Sequence, residues 1–384
     1  MNLFETGLRL YEGYMNQSQS RYSFLNQSAW SQKAQERALL EKWFESYPKD
    51  RRENLDDVYK RFRSEDDEQH CGAYFELYCS ALLQGQGFML KTHQPANTTK
   101  KTCPDFLAYL SDMPAFHLEA TVVAGEKINI ENQRQQNLLF DALNTIASPY
   151  FDIHVNVMFA PLYKPGRLSV GPMKKFVQNA LARLNYTQEL NKQKADFLYE
   201  YSLRPWFENK WEIRFAFNPK SPERVQHPGY SSLFTRSFPV EWTADEQSQQ
   251  KILRKNLRDK TYRYGDFERP YIVAINTLPI IDSEVLRTAL FDEDALWSHE
   301  KGKKQRVSAV LFISGLGYTN IARSTPVLWH NPWSEYPLNK DIWHGPQMIY
   351  EMQKKTVQLK EGKSSWEILH LHPNWPNETH VSQE

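Results

Sequence analysis

Cysteine is scarce in this chain of 384 residues: only Cys71, Cys79 and Cys103, with no CxxC pair. Such an odd, unclustered set argues against a disulfide framework and a Cys-rich zinc site, and points to a reducing cytoplasm. An excess of one charge sign is also lacking. The net charge is +1, so the totals neither require nor exclude a nucleic-acid partner, and the placement of charge must decide. No apolar run approaches the ~20 residues of a membrane span, so no membrane association is expected. The opening "MNLFETGLRLYEGYMNQ" has no basic stretch leading into an apolar core, so no secretory signal is expected. There is no glycine-rich phosphate loop, no GxSxG and no HExxH, which argues against nucleotide-driven, serine-hydrolase and zincin chemistry. No internal repeat is found.

What is present describes a globular α/β protein. The chain is 40% hydrophobic and 24% charged, which favours a packed core over disorder. Its length fits two domains or one elaborated domain. Residues 1–66 read as a polar helical region. In "SQKAQERALLEKWFESYP", Leu40, Trp43 and Phe44 repeat at i, i+3, i+4, and Pro48 ends the helix. Residues 67–185 read as a core. The helix "EQHCGAYFELYCSALLQGQGF" is stopped by Gly85 and Gly87, and the strand "FMLKTH" follows. Next come a hairpin, the helix "NIENQRQQNLLFDALNTIA", the strand "FDIHVNVMFAPL" and the helix "GPMKKFVQNALARLN". Residues 186–345 read as an α/β extension with the strands "WEIRFAFNP", "PYIVAIN" and "RVSAVLFISG" and a basic helix between the first two. Residues 346–384 read as a tail.

The hairpin is "CPDFLAYLSDMPAFHLEATVV", Cys103 to Val123. A turn centred on Asp112 pairs 109 with 115, 107 with 117 and 105 with 119. Asp105 and Glu119 then face each other, their Cβ atoms about 4.5–5.5 Å apart. Alternation puts Phe116, Leu118, Ala120 and Val122 on one face, and His117, Glu119, Thr121 and Val123 on the other. Opposed carboxylates repel, and a divalent cation is the economical compensation, because Mg²⁺ takes one or two carboxylates plus waters and phosphate oxygens. A third acid, Glu76, sits among apolar residues in "AYFELYCSALL", where burial without a partner is costly. The histidines show no ligand spacing. His370 and His372 fall in the tail, and His117 shares a strand face with Glu119.

Over about residues 68–160 this order resembles the PD-(D/E)XK nuclease superfamily, the restriction-endonuclease-like fold. The shared order is helix with Glu, strand, loop, strand with Pro-Asp, turn, strand with Glu-x-Thr, helix. The resemblance implies a mixed central sheet flanked by helices. It implies that Glu76, Asp105 and Glu119 bind one or two Mg²⁺ or Mn²⁺ ions, with the Ala120 carbonyl as a further ligand. The sequence departs from the family at Thr121, where the family has a lysine that orients the attacking water. Thr121 itself, or Lys127 just past the strand, would assist the nucleophile, and Lys91 is a second substitute. Gln133, Arg134 and Gln136 on the next helix would touch nucleic acid. The resemblance also implies a place among phage-defence or mobile-element nucleases, with a protein trigger or regulator. A nuclease fold that has lost its lysine and only binds nucleic acid or a protein is the alternative, and a sensor whose acids are incidental is a third.

A second feature stands apart from that resemblance. In "QKILRKNLRDKTYRYG", Lys251, Arg254, Lys255 and Arg258 recur at i, i+3, i+4, i+7 and share one helix face. From Lys251 to Arg263 there are six basic residues and one acid. Clustered cations on one face fit phosphate contacts to DNA or RNA. "EKGKKQR", residues 300–306, adds a second basic cluster. The combined expectation is an α/β metal-dependent nuclease with an N-terminal helical layer and a C-terminal α/β elaboration.

Overall fold

The computed structural model places the apolar run "YIVAINT" in the interior of an eight-stranded mixed sheet. It describes the chain except residues 14, 17, 96–101, 124–129, 160–166, 168, 196–203, 209–210, 221, 226–233, 237–245, 266, 279, 293–295, 298–304, 355 and 377–384. The chain begins with α1 (Arg21–Gln27), α2 (Ser31–Ser46), α3 (Arg52–Phe62) and α4 (Asp67–Gly85). Then come β1 (Met89–Thr92), β2 (Phe106–Leu110) and β3 (Met113–Val123). The middle stretch holds α5 (Ile130–Asn144), β4 (Phe151–Phe159), α6 (Val170–Ala182), α7 (Tyr186–Ala195), β5 (Arg204–Glu208), β6 (Trp211–Pro219), α8 (Pro222–Val225) and β7 (Phe234–Arg236). The last stretch holds α9 (Glu246–Arg263), β8 (Tyr271–Thr277), α10 (Ser283–Phe291), β9 (Ala309–Ser314), β10 (Val327–His330), β11 (Gln347–Glu351), β12 (Thr356–Lys360) and α11 (Ser365–Ile368).

Two compact units result. The first comprises Met1–Gly13, Ser20–Glu126 and Asp245–Glu384; the second comprises Tyr14–Gln19 and Lys127–Ala244. The expected segments do not match this division. Residues 127–185, expected to complete the core, belong to the second unit. There β4 pairs antiparallel with β6, in a sheet ordered β5-β6-β4-β7, over its own apolar core of Leu139, Phe140, Phe151, Val177 and Phe215. In the first unit, α9 and β8 follow β3 in the fold, although 127–244 intervene in the chain.

The sheet of the first unit runs β1-β2-β3-β8-β9-β10-β11-β12. β3, β8 and β9 are parallel neighbours, and β8 is buried along its whole length. Near-continuous apolar sequence fits a strand covered on both faces. β12 is an edge strand, largely exposed and polar, which discourages further pairing. On one side, α4 packs its buried residues with α2, β2 and β3. This helix is apolar around most of its girth, as a central helix must be. It starts at Asp66, whose side chain accepts from the Glu68 N–H. On the other side, Leu253, Leu257, Val285 and Leu286 pack on β8 and β9.

The tail expectation is wrong. β11 and β12 extend the sheet, and Ile368, Leu369 and Trp375 are buried in the first unit's core. Thr356, Val357, Gln358, Leu359 and Lys360 alternate polar and apolar, the pattern of a short strand with a solvated face, which the tail expectation passed over. No helix among the described residues is long and apolar enough to cross a membrane.

Candidate metal centre

The β2–β3 register builds the site. Phe106 pairs with Leu118, Leu107 with His117 and Ala108 with Phe116, so the ladder continued one step sets Asp105 against Glu119. The expected 107–117 pair is present. The expected 109–115 pair is not, because a register shift after Ala108 brings Tyr109 against Pro114. The turn residues are Ser111 and Asp112, with φ of 49° and 65°, the left-handed pair of a two-residue hairpin. Asp105 Oδ2 accepts from the Ala120 N–H at 2.7 Å, which ties its carboxylate to the neighbouring strand.

Glu76 reaches the same place from α4. It is 2% exposed, and both oxygens are engaged: Oε1 accepts from the Tyr47 hydroxyl at 2.5 Å and Oε2 from Arg61 Nη2 at 2.6 Å. Arg61 also holds Asp57 at 2.7 Å. Glu119 is equally buried. Its Oε1 lies 2.6 Å from Lys260 Nζ and 3.6 Å from Arg263 Nη1, while its Oε2 has no hydrogen-bond partner among the described residues. A cavity of 350 Å³ joins these groups, lined among others by Glu76, Asp105, Glu119, Thr121, Lys260 and Tyr264.

The electrostatics single out Asp105. Burial pushes its carboxyl well above the ordinary range, and the negative charges of Glu119 and Glu76 push it further. The Ala120 N–H and Lys260 oppose this without reversing it. Burial also raises the Tyr264 hydroxyl, with Glu119 adding to the effect, and raises that of Tyr47, with Glu76 adding. A carboxyl whose charged form is disfavoured by burial and by two neighbouring acids is a place where a cation would be favourable. The Oε2 of Glu119, without a hydrogen bond of its own, leaves a second acceptor facing that carboxyl's neighbourhood. The residues present therefore fit a divalent ion.

Two residues of the site were missed in the sequence. Among the described residues, Glu76, His93 and Asp105 bring three possible donor atoms within 4.8 Å of one another. Glu119 borders that set and does not join it. His93 follows β1 directly, and nothing in its sequence spacing marks it. Lys260 is the second. Thr121 lines the cavity, and the cation beside it comes from α9. Leu253, Leu257 and Lys260 lie at i, i+4, i+7, so Lys260 extends the apolar stripe of its helix. A lysine on an apolar stripe was the available signal.

Most of the other expected residues fall elsewhere. Lys127 lies outside the described residues, as does the basic cluster apart from Gln305 and Arg306. Gln133, Arg134 and Gln136 belong to α5 of the second unit. Lys91 sits on β1 over the Tyr109 ring, 5.1 Å from its centroid, not in the cavity lining. Ala120 lines the cavity. Lys251, Lys255 and Arg258 are exposed on α9, whereas Arg254 is half-buried and donates to the Thr288 carbonyl. Lys260 lies about 180° round the helix from Lys251, so the basic face and the site-facing side are opposite. His117 is buried against Phe267, and burial lowers it to about 4. Compared with family models, curated proteins and solved structures, the chain matches none, and the functional reading rests on this geometry.

Proposed function

We propose that this chain is a metal-dependent nuclease that hydrolyses phosphodiester bonds of nucleic acid, within the PD-(D/E)XK superfamily its sequence resembles. The observation that carries the reading is the crowding of Glu76, Asp105 and Glu119 around one cavity beside Lys260. Glu76 and Asp105 would hold Mg²⁺ or Mn²⁺, with Glu119 and the Ala120 carbonyl bordering it. When bound, such an ion makes water more acidic and offsets negative charge on a phosphate. The protein's own groups supply the rest. Lys260 replaces the lysine missing at Thr121: it orients Glu119 and presents a cation to the reacting phosphate. Arg61 fixes the Glu76 carboxylate. The exposed face of Lys251, Lys255 and Arg258 would hold backbone phosphates away from the reaction centre. A cytoplasmic setting, a protein regulator and a role in phage defence belong to the same proposal.

The test is incubation of the pure chain with plasmid, single-stranded DNA and transfer RNA, with Mg²⁺ or Mn²⁺, beside Glu119→Gln. Metal-dependent cleavage lost in the variant supports the reading; equal cleavage by both proteins refutes this site.

One observation favours a second reading. Arg61 and Lys260 already neutralise Glu76 and Glu119, so two of the three acids are compensated without an ion. A nuclease fold that binds nucleic acid without cutting it would keep those pairs. Binding of labelled DNA or RNA without cleavage under any metal would favour it.

A further inference from the structure

The proposed centre contains one donor that an all-carboxylate nuclease site would not need. We infer that His93 is a nitrogen ligand of this centre and makes it selective for a first-row transition ion, Mn²⁺ in the first instance, over Mg²⁺. The inference rests on the metal-dependent reading above and specifies the ion it uses.

The backbone delivers the ring. Thr92 pairs with Phe106 as the last residues of the β1–β2 ladder. One step further, the His93 N–H donates to the Asp105 carbonyl at 3.0 Å. His93 takes up a φ of 45°, in the left-handed region that few side chains tolerate and histidine tolerates better than most. An outlier of this kind, held by its surroundings, is a reason to ask what it positions. It sets the ring beside the Asp105 carboxylate, with Nε2 3.9 Å from Oδ1, and brings its donor within 4.8 Å of those of Glu76 and Asp105. The His93 side chain is 32% exposed, so the ring borders solvent from which an ion can enter.

A second observation is independent of that cluster. The Oε2 atom of Glu119, on a residue 3% exposed, is buried without a partner in the same cavity. The Tyr47 and Arg61 hydrogen bonds do not disqualify Glu76, because each carboxylate oxygen has a second lone pair. They aim it.

The donor chemistry sets the choice of ion. Mg²⁺ takes oxygen ligands and gives up water reluctantly. Imidazole suits transition ions, whereas carboxylate suits Mg²⁺ and Mn²⁺ alike. Two carboxylates and one imidazole therefore favour an ion that accepts both donor types.

The full chain is titrated by calorimetry with Mn²⁺ and Mg²⁺, as wild type, His93→Asn and Asp105→Asn. The Mn²⁺-loaded proteins are examined by electron spin-echo envelope modulation, which reads a directly bound nitrogen. Asparagine tolerates the left-handed backbone, and a thermal melt checks the fold of each variant. The expected result is a nitrogen signal in wild type, absent in His93→Asn, with the Mn²⁺ over Mg²⁺ preference falling by about tenfold or more. Mn²⁺ bound without a nitrogen signal, or an unchanged preference in His93→Asn, overturns the role of His93 and leaves the metal centre standing. No binding of either ion by wild type, or binding unaffected by Asp105→Asn, overturns the centre and the inference together. The wild-type spectrum needs no variant, so a misfolded mutant does not blunt the test.

Discussion

Lys260 Nζ lies 2.6 Å from Oε1 of Glu119, although the two are 141 positions apart in the chain. β3 and α9 meet in the first unit after the chain has passed through the second. A remote helix thus sets a cation beside the Glu-Ala-Thr strand. If the nuclease reading holds, Lys260→Met lowers cleavage by about 10²-fold or more, the scale for removing one charge-stabilising donor. Thr121→Ala changes it far less. Single-turnover cleavage of labelled DNA, with the melting temperature as a fold control, measures both. A loss in Thr121→Ala with none in Lys260→Met would move the role to Thr121.

Asp105 shows what the site costs the fold. Burial and the charges of Glu119 and Glu76 raise its carboxyl, so the folded chain holds that proton more tightly than the unfolded chain. A raised folded-state value means stability is full below the unfolded carboxylate range and declines as pH rises through it. Asp105→Asn removes that decline and has no charge for the neighbours to repel. The variant is expected to unfold at higher urea than wild type at pH 7, by about 1 kcal/mol or more, and at the same urea near pH 4. An Asn variant less stable at pH 7 would mean that the Asp105 charge is already compensated.

The sequence made local features legible and non-local ones not. The helix and strand of α4 and β8 are readable because each is a strong periodic or continuous apolar run. The hairpin register was legible up to Ala108, where the ladder shifts by one residue. Asp105 and Glu119 stood out because the hairpin opposes two carboxylates, and Glu76 because an acid among apolar residues is costly to bury. Lys260 and His93 did not, since the first depends on a helix returning across an inserted unit and the second on a backbone angle. The break at 127 was hidden too. α5 and β4 carry a pattern as good as that of α9 and β8, and periodicity does not say which helix returns to a given sheet.

The C-terminal segment, which reads as a tail, supports the central helix. A Cβ on Gly85, at the end of α4, would stand 2.2 Å from the backbone carbonyl oxygen of Ile368. A carbonyl cannot swing aside as a long side chain can. Gly85→Ala is therefore expected to destabilise the first unit by about 1–3 kcal/mol, despite alanine's better helix propensity. Urea unfolding followed by tryptophan fluorescence measures it. A stabilised Gly85→Ala would show that the segment packs elsewhere in solution.

The buried histidines give the fold an acid limit independent of the site. His70 on α4 is lowered to about 4 by burial, with Arg21 adding to the effect against the Phe62 carbonyl. His330 on β10 is lowered to about 4 by burial, with Lys340 and Lys360 adding to it against its Gln347 partner. Both stay neutral in the fold while the unfolded chain takes up protons near pH 6.5. The unfolded state then binds more protons, so stability falls as pH drops from about 6.5 towards 4, by at most about 1.4 kcal/mol per pH unit for each histidine. His330→Gln removes one titrating group. It is expected to flatten the slope of unfolding free energy against pH by up to one proton's worth between pH 6 and 4.5, whatever it does to stability at pH 8. Parallel slopes for wild type and His330→Gln would show that His330 takes up its proton in the fold as readily as in the unfolded chain.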